Sequence, residues 1–535
     1  MTLAPRFLVQ FWAGLRVARF ARRLKKSAHG ATAQQETFSR LVAQSARTEF
    51  GRSHGLGAAT TYARFREQVP PRMAEWFQPL IARMAAGERN VLLPGKCPLF
   101  VETAGTTGGS PRLLPAPEAV IDHFTCGLRD ALFLHARRAG HPRVFLGRHL
   151  HLGASIAVSE EQSRYRTTLD GLFTLCLSAW VEANLRSPPG DVAALPEGPE
   201  KIAATTRAML GRDVTLLGGD PGNLVALAEA ARAAAARGGT SPAQLSAVWP
   251  NLECCLHTGA PLGLFTEPLR TALGPGVRLH EIYAGAEGFF AAQDDASPTA
   301  LRLLTDAGVF YEFLPLASFH ESTLEKAGPL CVPLAQVQPG TDYLPVLTTP
   351  AGLCRCITGD IVRFVSAQPP RLHFVGRVQH RLDTLGEHVT EQDVLETLQA
   401  VCARNGWQPS VCHVAPYEQR NGAGRHANVH EWWLELHTHS VRTPLANVLG
   451  PELDAELAHR HAGYAARRDR NLLGAPQVRL VMPGVFARCL QNRPRLAAGK
   501  LPLCRPDRLI ADQLAALAPF HQEVLVTIKG NGTPR

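Results

Sequence analysis

Three patterns are missing from this chain of 535 residues, and each absence argues against one class of protein. No apolar run of about 18 residues occurs, so a membrane-spanning helix is not expected. No CxxC pair or zinc-ligand spacing connects the 12 cysteines, and reduced thiols in a cytoplasmic protein are the simplest interpretation. No long basic run interleaved with aromatic residues accompanies the net charge of +10, so nucleic-acid binding is not expected.

The composition is that of a folded protein with more than one domain. Hydrophobic residues make up 45% of the chain and charged residues 19%, values typical of globular proteins. A chain of 535 residues exceeds what one hydrophobic core supports, so two or more domains are expected. The histidines of the C-terminal region are interpreted as surface side chains rather than metal ligands; they are His413, His426, His430, His437, His439, His459 and His461.

Residues 7–26 are predicted to form a basic amphipathic helix. Apolar side chains such as Phe7, Phe11 and Trp12 alternate with arginine and lysine, and no small-residue cleavage site follows. A secretory signal is therefore not expected. We expect the helix to dock on the protein's own body, and peripheral contact with an anionic membrane is the alternative.

Short β-like runs alternate with helical segments along most of the chain, which predicts an α/β fold. The runs lie at residues 214–217, 279–283, 309–314, 343–349, 361–365 and 372–375, and helices are predicted at 226–236 and 391–401, the latter capped by Thr390. A boundary is predicted near residues 376–388. We therefore expect an N-terminal helix over residues 1–34, a large body over 35–376 and a C-terminal domain over 377–535.

Residues 102–109 read Glu-Thr-Ala-Gly-Thr-Thr-Gly-Gly, directly after an apolar stretch. Glycines let backbone N–H groups approach an anion, while Thr103, Thr106 and Thr107 add hydroxyl donors. The lysine of a Walker A loop is missing, although Arg112 follows closely and could supply a cation. A flexible loop explains the run about as well as phosphate binding does.

Two further segments carry residue types that handle nucleotides. In residues 280–288, a β run leads to Tyr283 and then Glu287; an aromatic ring can stack on a base, and a carboxylate can hold Mg²⁺ beside phosphates. In residues 354–360, Asp360 follows a glycine in a tight turn, where it could accept hydrogen bonds from both ribose hydroxyls. The plain alternatives are a solvated glutamate at a strand end and an ordinary Gly-Asp turn.

A fourth segment is Phe374-Val375-Gly376-Arg377, followed by Gly-Glu-His-Val at residues 386–389. In order and spacing, the four segments resemble the motifs of the adenylate-forming superfamily. A more specific resemblance, over about residues 35–510, is to the Gretchen Hagen three family, the acyl-acid amido synthetases named for auxin-responsive plant members. Residues 100–109, 248–250, 282–289, 309–315, 343–365 and 374–377 carry it.

The resemblance implies a fold and a reaction. The fold is an α/β adenylate-forming body, with β-sheets flanked by helices, plus a smaller mobile α+β C-terminal domain. In the first step of the reaction, which uses ATP and Mg²⁺, a small-molecule carboxylic acid is joined to the AMP part of ATP. In the second step an amine, usually an amino acid, attacks this adenylate to give the amide. Two alternatives remain open, a degenerate nucleotide-binding protein without turnover and an acyl-CoA ligase.

The resemblance also assigns roles to particular residues. Phosphate contacts are expected from Thr103, Gly105, Thr106, Thr107 and Gly108. Tyr283 would lie at the adenine and Glu287 would orient Mg²⁺. Asp360 would bind the ribose, and Arg377 the ribose or a phosphate near a hinge. Lys500, in the segment Ala-Gly-Lys-Leu-Pro, resembles the mobile lysine that acts in adenylation.

Four positions depart from the family pattern. Ala104 and Ala286 stand where hydroxyl side chains are usual, and Cys354 and Cys356 stand where aromatic residues are usual. The loss of two donors is expected to weaken transition-state stabilisation unless other groups replace them. It is the reason for keeping the degenerate alternative.

Specificity for the acid is expected in the helical region after the phosphate loop, roughly residues 122–180. Phe124, Phe133 and Phe145 are candidates to line an apolar or aromatic acid. Ordinary core packing explains all three better.

Overall fold

The computed structural model describes residues 5–26, 30–103, 112–161, 164–239, 242–258, 263–294, 299–420, 426–436, 444–491 and 501–517. It confirms the predicted α/β class. The chain divides into two compact units. The first unit comprises Met1–Ala260 and Pro268–Phe374, and the second comprises Pro261–Glu267 and Val375–Arg535.

Helices cover much of the chain up to residue 273. They are α1 (Arg6–Lys26), α2 (Ala31–Ser45), α3 (Glu49–Ser53), α4 (Tyr62–Gln68), α5 (Gln78–Ala85), α6 (Glu118–Ala139), α7 (Leu169–Leu175), α8 (Ala179–Asn184), α9 (Gly190–Ala193), α10 (Pro199–Met209), α11 (Pro221–Arg237), α12 (Leu245–Val248) and α13 (Thr266–Leu273). Among the described helices, none combines the length and the apolar character that crossing a bilayer requires.

The strands between residues 72 and 377 form two sheets. They are β1 (Arg72–Met73), β2 (Leu99–Glu102), β3 (Leu113–Pro115), β4 (Arg148–Leu152), β5 (Ser159–Glu161), β6 (Arg164–Thr167), β7 (Arg186–Ser187), β8 (Val214–Gly219), β9 (Cys254–His257), β10 (Arg278–Gly285), β11 (Gly288–Gln293), β12 (Leu301–Leu303), β13 (Phe310–Pro315), β14 (Val332–Pro333), β15 (Asp342–Thr348), β16 (Cys356–Ile357), β17 (Asp360–Ala367) and β18 (Pro370–Arg377). All six predicted β runs are confirmed.

The larger sheet has 14 strands, in the order β1-β16-β15-β17-β18-β12-β11-β10-β9-β8-β4-β7, with β13 and β14 attached beside β15. Strands β4, β8, β9 and β10 are parallel, and β10 to β12 are antiparallel. Every residue of β8 is buried, which explains why a short apolar run predicts this strand. The smaller sheet has the order β3-β2-β6-β5.

Helix α1 docks on the first unit through one face, as expected. Phe20 and Leu24 are buried, and the Phe20 ring lies 5.5 Å from the ring of Phe133 on α6. Phe124 and Phe133 belong to the same hydrophobic core. Both phenylalanines therefore pack in the core, which is the interpretation that the sequence favours, and a role for them in lining the acid site stays a prediction.

The second unit has an α+β arrangement. Strands β19 (Pro409–Arg420) and β20 (His426–Leu436) pair antiparallel, and β21 (Gln477–Val481) pairs parallel to β20. Its helices are α14 (Glu391–Asn405), α15 (Pro444–Arg460), α16 (Ala462–Asp469), α17 (Val485–Gln491) and α18 (Leu509–Leu517). Thr390 caps α14 in a capping box with Asp393, which confirms the predicted helix start.

The surface interpretation of the histidines is wrong for two of them. His413 is buried and its Nδ1 lies 2.8 Å from the carbonyl oxygen of Pro502. His430 is also buried, and its Nε2 lies 3.1 Å from a carboxylate oxygen of Glu387. Within the described ranges, no group of three or more His, Cys, Asp or Glu side chains is placed to hold a metal ion.

Candidate functional site

The two ends of the glycine-threonine run are held by strand pairing. Strands β2 and β3 are antiparallel, and just beyond their last pair the Thr103 N–H donates to the Arg112 carbonyl at 2.8 Å. The Arg112 N–H donates in turn to Thr103 Oγ1 at 3.3 Å. Residues 104–111, which include the predicted Gly105, Thr106, Thr107 and Gly108, lie outside the described residues. The structure therefore places the base of the predicted phosphate loop, which we call the loop base and define as Thr103 and Arg112.

Glu287 lies close to the loop base. Strands β10 and β11 pair as a tight hairpin in which Gly285 is opposite Gly288, so Ala286 and Glu287 form its two-residue turn. One Glu287 carboxylate oxygen lies 3.7 Å from Arg112 Nη2, and the side chain is only 10% exposed. Two segments that are far apart in the sequence thus bring a carboxylate and a guanidinium together at one place.

His123 on α6 fixes the position of this turn. Its Nδ1 lies 2.6 Å from the Ala307 carbonyl, and its Nε2 lies 2.8 Å from the backbone nitrogen of Phe289. A carbonyl only accepts and an N–H only donates, so the ring is the neutral tautomer with its proton on Nδ1. Burial lowers the pKa of His123 to about 4, which keeps this tautomer at neutral pH.

The hairpin also depends on a glycine beside His123. A Cβ atom at Gly288 would lie 2.7 Å from the Phe290 ring and 3.0 Å from His123 Nε2. Sequence analysis missed His123, because a histidine within an amphipathic helix gives no sign of a distant partner. Gly288 and His123 together hold Glu287 beside the loop base.

Tyr283 and Asp360, predicted to serve the adenine and the ribose, are in direct contact. The Tyr283 hydroxyl donates to Asp360 Oδ2 at 2.7 Å, and both side chains are buried. The Tyr283 ring packs 5.0 Å from the Phe290 ring and 5.8 Å from the Phe374 ring. A register shift follows Tyr283 on β10, so a bulge separates this ring from the Glu287 turn. The structure brings these two predicted site residues together.

The last two predicted site residues belong to the second unit. Arg377 ends strand β18. Lys500 lies outside the described residues, but the segment that follows it is held by hydrogen bonds to the rest of the second unit. The Leu503 N–H donates to a Glu391 carboxylate oxygen at 2.9 Å, and the Val414 N–H donates to the Leu503 carbonyl.

Arg355 has a structural role within the segment that leads to Asp360. Its side chain is fully buried and pairs with the fully buried Glu312, with Nε and Nη2 at 2.9 and 3.0 Å from the two carboxylate oxygens. It also donates to the carbonyls of Val69 and Gly328. Sequence analysis missed this pair, since Glu312 is 43 residues away from Arg355.

The cysteine departures at positions 354 and 356 fall in the core rather than on an open site surface. Both side chains are buried, and Cys356 lies on β16, which pairs with β1 and β15. Burial raises the pKa of the Cys354 thiol to about 11. These two substitutions therefore change packing beneath the Gly-Asp turn.

A titratable pair lies where the carboxyl end of β9 meets the middle of β10. His257 and Glu281 are register partners on these adjacent parallel strands. Burial raises the pKa of Glu281 to about 7 and lowers the pKa of His257 to about 3. At neutral pH the histidine is therefore neutral, and the glutamate is close to its titration midpoint.

The raised pKa of Glu281 predicts a pH-dependent cost to stability. Between about pH 4.5 and 7 the folded state binds more protons at this site than the unfolded chain does, so the free energy of unfolding falls as pH rises. Because the side chain keeps some exposure, we expect Glu281→Gln to stabilise the protein by about 1–3 kcal/mol at pH 8 and by almost nothing at pH 4.5.

Thermal midpoints of parent and variant at the two pH values measure this effect. Glu229→Gln, at an exposed position in the middle of α11, is the matched control and should change neither midpoint. An equal shift for Glu281→Gln at both pH values would show that the pKa of Glu281 is not raised in the folded state.

Comparison with known proteins shows the family to which the chain belongs. Three GH3 family models match the chain: the N-terminal domain at residues 20–192, the central domain at 302–377 and the C-terminal domain at 392–504. The chain is 24% identical over 603 aligned residues to a probable indole-3-acetic acid-amido synthetase GH3.12 of Oryza sativa subsp. japonica, covering 94% of this chain and 93% of that protein. A human GH3 domain-containing protein is 39% identical over 103 residues, 19% of each chain.

Solved structures show the same fold. A GH3.15 acyl acid amido synthetase superposes with a TM-score of 0.72 at 17% identity, covering 94% of this chain and 96% of that chain. A 2-hydroxyisobutyryl-CoA ligase in the postadenylation state superposes with a TM-score of 0.56 at 14% identity, covering 93% of both chains. The fold is that of an adenylate-forming ligase. The chain belongs to the GH3 family, which confirms the resemblance and the ligase class expected from the sequence.

Proposed function

We propose that this chain uses ATP and Mg²⁺ to adenylate a small-molecule carboxylic acid and then transfers the acyl group to an amine, usually an amino acid. The observation that carries the proposal is the meeting of separate motifs in the first unit. Arg112 at the loop base lies 3.7 Å from Glu287, and Tyr283 donates a hydrogen bond to Asp360. Three of the four motifs therefore meet within the first unit: the loop base, the segment of Tyr283 and Glu287, and the turn of Asp360.

The proposed nucleotide contacts follow from the chemistry of these side chains. Asp360 is an acceptor-only carboxylate, which suits the two donor hydroxyls of a ribose. The ring of Tyr283 offers an apolar surface for the adenine. Phosphate contacts are proposed for Arg377 and for the loop residues Thr103, Gly105, Thr106, Thr107 and Gly108.

Glu287 is the proposed Mg²⁺ ligand. A partly accessible carboxylate oxygen suits this hard cation, and Mg²⁺ often binds through one or two carboxylates together with substrate phosphates rather than in a protein cage. When bound, the ion would neutralise phosphate charge during attack by the acid. The Arg112 guanidinium lies between two carboxylates, at 2.9 Å from an oxygen of Glu75 and 3.7 Å from an oxygen of Glu287.

Adenylation solves a chemical problem, because a carboxylate is a poor electrophile and AMP is a good leaving group. The acid carboxylate attacks the α-phosphorus of ATP, the bond from that phosphorus to the bridging oxygen breaks, and pyrophosphate departs. Negative charge grows on the α-phosphate oxygens during this step, and cations and backbone donors stabilise it. We assign this role to Lys500, Arg377 and the loop base. The amine then attacks the acyl carbon, and AMP departs.

ATP–pyrophosphate exchange over a panel of carboxylic acids tests the proposal. We expect exchange only when a suitable acid is present, together with an acyl adenylate detectable by mass spectrometry. An amide should follow when amino acids are added. ATP binding without exchange across aliphatic, aromatic and hydroxy acids would indicate a degenerate nucleotide-binding protein. A thioester with coenzyme A and no amide would indicate an acyl-CoA ligase.

Asp360→Ala tests the ribose contact. Loss of two charge-assisted hydrogen bonds is expected to weaken ATP binding by about 1.5–3 kcal/mol, measured by titration calorimetry with Mg²⁺. Tyr283→Phe keeps the ring but removes the donor to Asp360, so we expect a smaller effect. Asp342→Ala is the control, because Asp342 pairs with Arg363 in an ordinary ion pair on β15.

The outcome separates a binding role from a structural one. Asp342→Ala should leave ATP affinity unchanged. Asp360→Ala should lower the thermal midpoint of the nucleotide-free protein only modestly, since it leaves one buried hydroxyl, that of Tyr283, without its acceptor. If Asp360→Ala lowers that midpoint strongly while folded molecules keep the parent affinity, Asp360 is only a turn residue.

A further inference from the structure

Helix α1 lies along the first unit and is held at both ends. Arg6, at its start, pairs with Asp213, and Arg23, near its end, pairs with Asp130 and Asp306. Between these points the inward face packs on α6 and on the segment Arg143–Leu146. The opposite face of α1 is therefore fixed in direction, and it points to solvent.

The first two turns of this outward face are apolar. Phe7, Phe11 and Trp12 are exposed by 69%, 64% and 57%, and they are the three most exposed large apolar side chains that the structure describes. Leu8 beside them is exposed by 40%. The rings of Phe11 and Trp12 lie 6.0 Å apart, edge to face. We call these four residues the apolar tip.

The next turns of the same face are basic. Arg16, Arg19, Arg22 and Lys25 are all exposed, and within the described part of the chain none of them forms an ion pair. At about 100° per residue, Arg22 and Lys25 lie on the same side of the helix as the apolar tip. The whole helix contains no aspartate or glutamate. We call these four residues the basic row.

We propose that the outward face of α1 docks the protein on a bilayer that contains anionic lipids. The apolar tip would enter the headgroup region, where aromatic side chains are favoured, and the basic row would contact lipid phosphates. A second copy of this chain is a poor occupant, because two basic rows would repel each other. Docking through this face leaves the inward contacts of α1 and the candidate site unchanged.

Sedimentation of the full chain with lipid vesicles tests the proposal. We expect binding to phosphatidylcholine vesicles that contain about 30% phosphatidylserine, little binding to phosphatidylcholine alone, and weaker binding as salt rises. Reversing two charges with R19E and R22E should weaken binding at least about thirtyfold, since each basic residue near the surface contributes about fivefold. Removing the tip with F11S and W12S should weaken it at least about tenfold.

Matched controls separate the helix face from general charge and apolar character. R64E with R89E reverses two exposed arginines outside α1, and W180S removes an exposed tryptophan on α8. These controls should bind vesicles like the parent, and all variants should keep the parent thermal midpoint. Brominated lipids should quench tryptophan fluorescence in the parent but much less in W12F.

Three results would overturn the proposal. The first is that the parent chain does not sediment with anionic vesicles. The second is that the variants of the apolar tip and of the basic row bind as tightly as the parent. The third is a parent dimer in light scattering that F11S with W12S disrupts while vesicle binding is absent, which would make the face a self-association surface.

Discussion

Lys500→Ala is expected to slow ATP–pyrophosphate exchange by about a hundredfold or more, while amide formation from a prepared acyl adenylate continues near the parent rate. Negative charge builds on the α-phosphate only while the acid attacks ATP, so a cation that acts there matters in the first half-reaction alone. The segment directly after Lys500 is held in place by two hydrogen bonds of the Leu503 backbone, one to the Glu391 carboxylate and one from the Val414 N–H. This anchoring supports the role of Lys500. Both rates are measured on the same preparation.

Two further variants make the Lys500 result decisive. Lys326→Ala removes an exposed lysine of the first unit and should change neither rate. Lys500→Arg keeps the charge on a planar group of different shape, so we expect partial recovery of exchange. Equal losses in both half-reactions for Lys500→Ala would point to a folding defect in the second unit. No loss in either would remove Lys500 from the site and leave Arg112 and Arg377 as the candidate cations.

Glu312→Ala is expected to destabilise the protein by about 3–5 kcal/mol, because it leaves the Arg355 guanidinium buried without its counter-ion. The Tyr62 hydroxyl, 3.0 Å from the Glu312 carboxylate, loses its acceptor in the same variant. Replacing both partners, in Glu312→Leu with Arg355→Met, should cost less than Glu312→Ala alone, since no charge then remains buried. Denaturant unfolding of the three proteins measures the difference.

A surface ion pair of the same unit is the control. Glu49 pairs with Arg83 at positions that are 49% and 37% exposed, so Glu49→Ala should destabilise the protein far less than Glu312→Ala does. If Glu312→Ala costs no more than Glu49→Ala, the Arg355 pair does not stabilise the turn that leads to Asp360.

The strands and the family could be predicted from the sequence because their signals are local. An apolar run such as residues 214–217 marks a buried strand wherever its neighbours lie, and β8 does span Val214–Gly219. Tyr283, Glu287 and Asp360 could be named because their motifs occur in the order of a known superfamily. That order gives no distances, and the hydrogen bond between Tyr283 and Asp360 spans 77 residues of sequence.

The supporting residues could not be predicted, because their roles depend on partners far along the chain. His123 holds the Glu287 turn through a hydrogen bond to Phe289, 166 residues away. Arg355 looks like part of a nucleotide turn until Glu312 is placed beside it. His413 and His430 look like surface residues because a polar side chain in sequence does not show whether a buried partner exists. Burial of a polar group is decided by packing that periodicity does not encode.

The burial of the thiols gives this enzyme a chemical reporter of its own motions. All 12 cysteines are free, and only Cys126, on α6, is partly accessible, while the other 11 are buried. In the folded protein, a thiol reagent therefore reaches only Cys126, and modification of any other cysteine requires local or global unfolding that exposes its thiol. The rate at which Cys354 and Cys356 are modified reports the opening of the segment that leads to Asp360. The rate at which Cys412 and Cys504 are modified reports the opening of the second unit. Modification mapped by mass spectrometry thus separates the motions of the two units without any engineered label.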